Sequence, residues 1–389
     1  MIEGLGTLMK ENNKPRLLYF VEAMGGGVFT YIVDLANSLV DDWDVYIGYA
    51  VRNQTPQNYR DYFDERVHLI EVKNFARSTS ITKAIKAGKE MKMIAGAIRP
   101  DVIHLHSSIA GAIGRVVFNN KKTPIFYTPH GYSFLMQGES SKKRLAYKLV
   151  EQLCGKSQAT TIACSPGEYQ EALKVSKHAV EVDNGINIEQ LQELIDTTDA
   201  SKIDHYDVFT LGRISVQKNP YVFNELALKL PNLKFLWIGD GELRSVLTAP
   251  NITVTGWLTR HEALKYSLNS DIFVLTSLWE GLPMSLLEAM YMKKLCMVSD
   301  VIGNHDVIDD EVNGYVCQKA SDYYSKIIAV KKSYSCTLIN RAYEDVLEHY
   351  NTKKVSEAYS QLYRAAIKGD SKSKNTRNLK NSINKKQSD

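Results

Sequence analysis

The chain has 389 residues, 44% hydrophobic and 24% charged, with a formal net charge of +4. That length exceeds what one hydrophobic core usually supports, so two domains of roughly 150 to 200 residues each are expected. Residues 368–389 carry seven Lys or Arg and two Asp, net +5, which leaves −1 on residues 1–367 and argues against a nucleic-acid-binding body.

The first half alternates short apolar runs with amphipathic stretches of helical length, the pattern of a parallel sheet with crossover helices. Strands are predicted at 16–21, 44–50, 68–72, 101–106, 124–129 and 159–164, with helices at 28–40, 81–98, 108–118 and 142–154. They compose a complete doubly wound domain. The pattern restarts with strands at 206–212, 233–239, 252–256, 271–277 and 294–300 and helices near 219–230, 242–248, 260–269 and 284–292. Two such α/β domains, joined near 185–205, imply a cleft between the carboxyl ends of both sheets, where ligands bind in these folds. Residues 337–367 read as helical without a third sheet to cover, so they are expected to run back and close the pair. The expected partition is 1–190, 191–345, a crossover helix at 346–367 and a polar tail at 368–389 that is too poor in apolar residues to order.

No apolar run reaches the roughly 18 residues that span a bilayer, and the N-terminus lacks a signal-peptide core. A cytosolic location is expected. Cys154, Cys164, Cys296, Cys317 and Cys336 are odd in number and form no CxxC pair, so they read as reduced thiols rather than a disulfide framework or zinc site.

Six stretches could carry chemistry. Gly25, Gly26 and Gly27 lie between a strand and a helix, where backbone amides can approach an anion. A dinucleotide fingerprint would need a third glycine where Thr30 stands and a carboxylate after the second strand, which "GYAVRN" lacks. In "FTLGRISVQKNP", Arg213 and Lys218 lie on a loop before a helix starting near Asn219 and Pro220. Two cations so placed suit a diphosphate, the Arg as a fork and the Lys as a point charge, and they oppose the charge that develops as the bond breaks.

In "SLWEGLPMSLLEAM", Glu280 and Glu288 are eight apart. On one helix they would lie about 12 Å apart along the axis, too far for an acid/base pair. Pro283 favours a helix start, putting Glu280 on the preceding loop and Glu288 two turns in, with the free amides of residues 281–285 between them. Carboxylate, amides and carboxylate match a ligand with hydroxyls at both ends and an anion in the middle, as in a nucleotide-sugar.

"FYTPHGYSF" sets His130 at a strand end facing the cleft, where a lone histidine is more often structural than chemical. "HLH" puts His104 and His106 on one face of a strand end, a poor metal site without a carboxylate or thiolate nearby. His106 is read instead as an acceptor-side or membrane contact. "SKKRLAYKLVEQL" carries Leu145, Leu149 and Leu153 on one stripe with Lys142, Lys143, Arg144 and Lys148 near its start. That stripe either packs on the core or forms a basic amphipathic surface that touches anionic lipid.

With these residues the chain resembles the family-four retaining glycosyltransferases of the GT-B fold over roughly residues 15–365. The motifs are E-x7-E at Glu280 and Glu288, then "GRISVQKN", "TPHG" and "VDNGIN" (182–187), with the glycine loop at Gly26 and Gly27 a weaker match. The resemblance implies that Glu288 binds the ribose hydroxyls, and that Glu280, with the amides of Gly281 and Leu282, holds the donor sugar. It places the diphosphate on Arg213 and Lys218, His130 near the reacting carbon, and Gly256 and Trp257 beside the base. "EGLPMS" stands where many members read "EGFGLP". The resemblance also implies retention of configuration with no metal and no cofactor, by a front-face displacement in which Glu280 is not a nucleophile.

The expected function is transfer of a sugar from a nucleoside diphosphate, UDP first among them, to a lipid-linked glycan acceptor for a bacterial capsule, exopolysaccharide or O-antigen. The partners are the nucleotide-sugar, that acceptor and the inner membrane surface, with no nucleic acid. A UDP-sugar epimerase or hydrolase on the same fold, and a non-catalytic scaffold of an assembly complex, are the alternatives.

Overall fold

The computed structural model describes residues 14–52, 55–75, 81–118, 123–333 and 336–369. The expected disordered tail thus lies, from residue 370 on, outside the described residues. The first sheet joins β1 (Arg16–Met24), β2 (Asp44–Val51), β3 (His68–Glu71), β4 (Val102–His106), β5 (Ile125–Thr128), β6 (Thr160–Ala163) and β7 (Ala179–Glu181). Its strand order is β3-β2-β1-β4-β5-β6-β7, and every pairing is parallel. The second joins β8 (Tyr206–Leu211), β9 (Phe235–Ile238), β10 (Ile252–Val254), β11 (Ser270–Leu275), β12 (Leu295–Ser299) and β13 (Tyr315–Cys317) in the order β10-β9-β8-β11-β12-β13, again all parallel. Helices cover both faces of such sheets, so the central strands are apolar throughout: Leu17 to Val21 and Ile272 to Leu275 are fully buried.

The helices are α1 (Gly26–Leu39), α2 (Ile81–Ile98), α3 (Ser108–Val117), α4 (Ser141–Cys154), α5 (Pro166–Val175), α6 (Ile188–Thr197), α7 (Pro220–Lys229), α8 (Arg260–Leu268), α9 (Met284–Tyr291), α10 (Ala320–Lys332), α11 (Cys336–His349) and α12 (Thr352–Ile367). Local chemistry starts several of them. Pro220 and Pro166 open α7 and α5, Ser165 caps α5, and a Thr259–Glu262 capping box starts α8. Residues 242–248 differ from the expected helix. Only a 3-10 turn at Arg244–Val246 forms, because Asn224 Oδ1 takes the amides of Thr248 and Ala249 out of any helical ladder.

The two domains are joined twice. Residues 182–187 cross once, and the joint expected at 185–205 contains α6, capped by Asn187. The chain returns at Tyr350 and Asn351, where Ile186 and Asn351 bridge in parallel. The break between α11 and α12 falls there, so the boundary expected at 345/346 lies inside α11. Helix α12 packs against α1 and buries Tyr359 and Tyr363 in the first domain. Among the described residues no helix is long and apolar enough to cross a membrane. Cys164, Cys296 and Cys317 are buried, and burial raises their thiol pKa values.

Candidate active site

In both sheets the strand order reverses beside the central strand, and the loops leaving β1, β4, β8 and β11 face one cleft. The loop after β8 and the loop after β11 are sewn together: Leu278 N donates to Gln217 O at 2.8 Å, and Thr276 Oγ1 to Lys218 O at 2.8 Å. The seam brings three donors onto Glu280. Lys218 Nζ and Ser277 Oγ reach its Oε1 at 2.7 and 2.6 Å, and Gln217 Nε2 reaches Oε2 at 3.2 Å. A carboxylate only 7% exposed requires such compensation.

Helix α9 follows Pro283 as the sequence predicts. The amides of Gly281, Leu282, Met284 and Ser285 have no acceptor among the described residues, as the start of a helix leaves them. Gly281 is fixed by close approach: a Cβ there would lie 2.8 Å from Gly131 N and 2.9 Å from His130 C, across the domain boundary. Asn184 of the crossover donates to Leu282 O at 3.1 Å. Further along α9, Glu288 Oε1 accepts from Arg260 at 2.9 Å, and Arg260 also donates to Gln190 Oε1 at 3.1 Å. Asp34 of α1 is buried near this pair with Oδ2 unpartnered. Burial pushes its carboxyl up to about 6, with Arg260 opposing and Glu288 reinforcing the shift.

Arg213 pairs with Glu242 Oε2 at 2.9 Å on the open side of the cleft. Gly239, at φ 136°, lets the end of β9 touch the loop that carries Arg213; a Cβ would sit 2.3 Å from Gly212 O. Gly256 lies beside Asp240, and Trp257 after it is 61% exposed. From the first domain, Gly27 faces Met284 of α9, a Cβ there being 3.8 Å from Met284 Cγ.

His130 ends the loop after β5 in the left-handed region, at φ 54°, followed by Gly131 at φ 95°. Glu168 of α5 holds this turn by accepting the amides of Gly131 (2.7 Å) and Cys164 (2.8 Å). The His130 ring stacks on His106, with Nε2 3.1 Å from His106 Nδ1, and lies edge-on to Tyr31. Below them His104 bonds Tyr363 Oη (2.6 Å) and Thr128 Oγ1 (2.9 Å). Burial holds all three imidazoles neutral, His130 down at about 3.

A profile described as Glycosyltransferase Family 4 matches residues 25–190, and one described as Glycosyl transferases group 1 matches residues 205–332. The chain belongs to glycosyltransferase family four. Sucrose-phosphate synthase from Thermosynechococcus elongatus superposes with a TM-score of 0.76 at 16% identity, covering 91% of this chain and 100% of that one. Anabaena HepE, solved with UDP and glucose, superposes at 0.71 and 13% identity, over 90% and 100%. The fold is GT-B. In sequence the chain is 28% identical over 292 residues to an Escherichia coli UDP-Gal:alpha-D-GlcNAc-diphosphoundecaprenol alpha-1,3-galactosyltransferase, covering 66% of this chain and 73% of that one. It is 25% identical to the putative teichuronic acid biosynthesis glycosyltransferase TuaC of Bacillus subtilis, over 69% and 72%.

Two sequence expectations change in this glycosyltransferase. His106 is fully buried beneath His130 and cannot touch an acceptor or a membrane, because Tyr19, Tyr31 and His104 cover the strand end. On α4, Leu145, Leu149 and Leu153 are 58%, 50% and 66% exposed, so the stripe does not pack on the core. Lys142 and Lys143 are exposed beside them, Lys143 paired with Glu139, while Arg144 donates to Phe134 O and Lys148 sits over the Phe134 ring. Leu149 and Leu153 also line a cavity of about 710 Å³ with Leu173, Lys156, Lys174 and Lys177.

Gln217, Glu242, Arg260, Ser277 and Asp34 were missed by the sequence reading. Ser277 and Gln217 lie within the quoted motifs and could have been noticed as donors; the others join the cleft only through the fold. Among the described residues, the group with metal-like spacing is His205, Asp207 and Asp271. It sits at the amino ends of β8 and β11, away from the cleft, and Lys331 binds both aspartates at 2.5 and 3.1 Å.

Proposed function

We propose that the chain is a retaining, metal-independent glycosyltransferase that moves a sugar from a nucleoside diphosphate, UDP first, to a lipid-linked or glycan acceptor in bacterial surface-polysaccharide synthesis. The observation that carries the reading is Glu280, buried under Lys218, Ser277 and Gln217 and followed by the open amides of a helix start. Glu288 takes the ribose hydroxyls. Arg213, Lys218 and the amides take the diphosphate in place of a cation. Trp257 and Gly256 lie beside the base, and Gly26 and Gly27 close over the phosphates from the first domain. UDP and the lipid-linked acceptor are favoured by what the E. coli relative acts on and the HepE complex contains.

In this mechanism the bond between the anomeric carbon and the phosphate oxygen breaks on the face where the acceptor hydroxyl enters. The new bond joins that carbon to the acceptor oxygen, and the acceptor proton passes to the leaving diphosphate. Arg213 and Lys218 neutralise charge as it grows on the leaving group, so their stabilisation is larger in the transition state than in the ground state.

Glu280→Gln should lower transfer roughly 100-fold while leaving UDP affinity within about threefold. Calorimetry with UDP beside a transfer assay reads both, and parallel loss in a folded variant refutes the sugar-side role of Glu280. The basic, leucine-bearing face of α4 fits peripheral contact with the cytoplasmic membrane surface. Flotation with vesicles containing anionic phosphatidylglycerol should recover the wild type and lose the Leu145→Ser/Leu149→Ser/Leu153→Ser variant; equal recovery of both would end that assignment.

A further inference from the structure

One buried polar atom behind the cleft is left unexplained by the proposed reaction. His106 is buried on the last residue of β4, its Nδ1 is 3.1 Å from His130 Nε2, and its own Nε2 has no hydrogen-bond partner. The groups around it are occupied elsewhere. Tyr31 Oη donates to Tyr359 Oη at 2.7 Å, Tyr19 Oη meets Tyr363 Oη at 3.4 Å, and His104 uses both nitrogens on Tyr363 and Thr128.

Two neutral imidazoles that share one hydrogen bond have two ways to place their protons. If His130 Nε2 carried the hydrogen, His106 would keep its own on Nε2, as a buried N–H with no acceptor. If His106 Nδ1 carries it, the atom left over is a bare lone pair. An orphaned buried N–H is the rarer and costlier outcome. The second arrangement obliges His130 to hold its proton on Nδ1, the ring nitrogen with no partner among the described residues.

We propose that His106 is a positioning residue that fixes the tautomer of His130, making His130 a hydrogen-bond donor toward an oxygen of the donor sugar rather than a base. This rests on the reading of His130 as a residue of the sugar site. Glu168 and the left-handed turn aim the ring, and His106 decides what it offers. A donor at this point stabilises a substrate oxygen without removing a proton, which suits a reaction whose acceptor proton goes to the leaving group.

The test uses the full chain labelled with ¹⁵N-histidine and long-range ¹H–¹⁵N correlation spectra near neutral pH, with His130 assigned by its loss in His130→Ala. The expected result is a protonated Nδ1 and a bare Nε2 on His130; the reverse overturns the proposal. His106→Asn keeps a donor near the former Nδ1 and should preserve both tautomer and turnover. His106→Asp replaces the donor by an acceptor. It should move the His130 proton to Nε2 and lower kcat roughly 100-fold, with the donor KM within about twofold. Equal losses in both variants would overturn the positioning role, and the wild-type spectrum decides the tautomer even if His106→Asp fails to fold. Unimpaired transfer by His130→Ala would instead refute the reading of His130 and leave the tautomer result standing.

Discussion

The two walls of the cleft are built from opposite chemistry. The ring cluster of the first-domain wall around His130 is neutral: three buried imidazoles and four tyrosines, linked through their own polar atoms. The second-domain wall is ionic, and its charges come in pairs, Lys218 with Glu280, Arg260 with Glu288 and Arg213 with Glu242. A neutral wall is ready for an uncharged sugar and needs no counterion. An ionic wall that is already paired must exchange partners when an anionic ligand arrives, so part of the binding energy replaces protein contacts instead of adding to them.

The sharpest way to break this contrast is to unpair the ionic wall. Lys218→Ala leaves Glu280 buried without its cation and should destabilise the fold by about 3 kcal/mol, measured by urea unfolding. Lys218→Met with Glu280→Gln should regain most of that loss while transfer stays absent. If Lys218→Ala is as stable as the wild type, the pair is not what holds the wall.

Asp34 probes the same contrast from the neutral side, as a first-domain carboxylate whose folded pKa is raised to about 6. Its unfolded value is about 3.9. Below both values the group is protonated in each state and has no effect on stability. Between them the unfolded chain releases its proton first, so stability falls as pH rises, and the loss is complete above the folded value. Asp34→Asn should therefore stabilise by about 2 to 3 kcal/mol at neutral pH and by almost nothing near pH 4. A gain that does not depend on pH would refute the assignment.

Arg213 gives the smallest effect on the fold. Its pair with Glu242 is partly solvated, so Arg213→Ala should change stability by less than about 0.5 kcal/mol. UDP affinity should drop roughly tenfold, the loss of one charge-assisted hydrogen bond. Unchanged affinity by calorimetry would remove Arg213 from the diphosphate site.

The same contrast explains what could be read in the sequence. Buried parallel strands announce themselves as continuous apolar runs, so β1, β2, β4, β8 and β11 were legible to within a few residues. β7 and β13, of three residues each, were not predicted, although β10, equally short, was. Half of the second-domain wall was legible because Arg213 with Lys218, and Glu280 with Glu288, lie in two compact motifs, whereas their partners Glu242 and Arg260 arrive only through the fold. The first-domain wall was not, since His106 is separated from His130 by 24 positions and covered by tyrosines that include Tyr31. Whether a strand-end histidine faces solvent depends on what other segments lay over it, and no local periodicity encodes that.

The dependence on α12 also has a consequence in time. The first domain can begin to fold once its seven strands have left the ribosome, but Tyr359 and Tyr363 belong to α12. Roughly 180 residues separate the end of β7 from these two tyrosines, about 10 to 35 s of elongation. Throughout that interval the nascent first domain holds His104 without its Tyr363 bond and the α1 surface without its cover. The histidine cluster is thus completed only when α12 arrives, and a product lacking α12 would be left without the floor of that cluster.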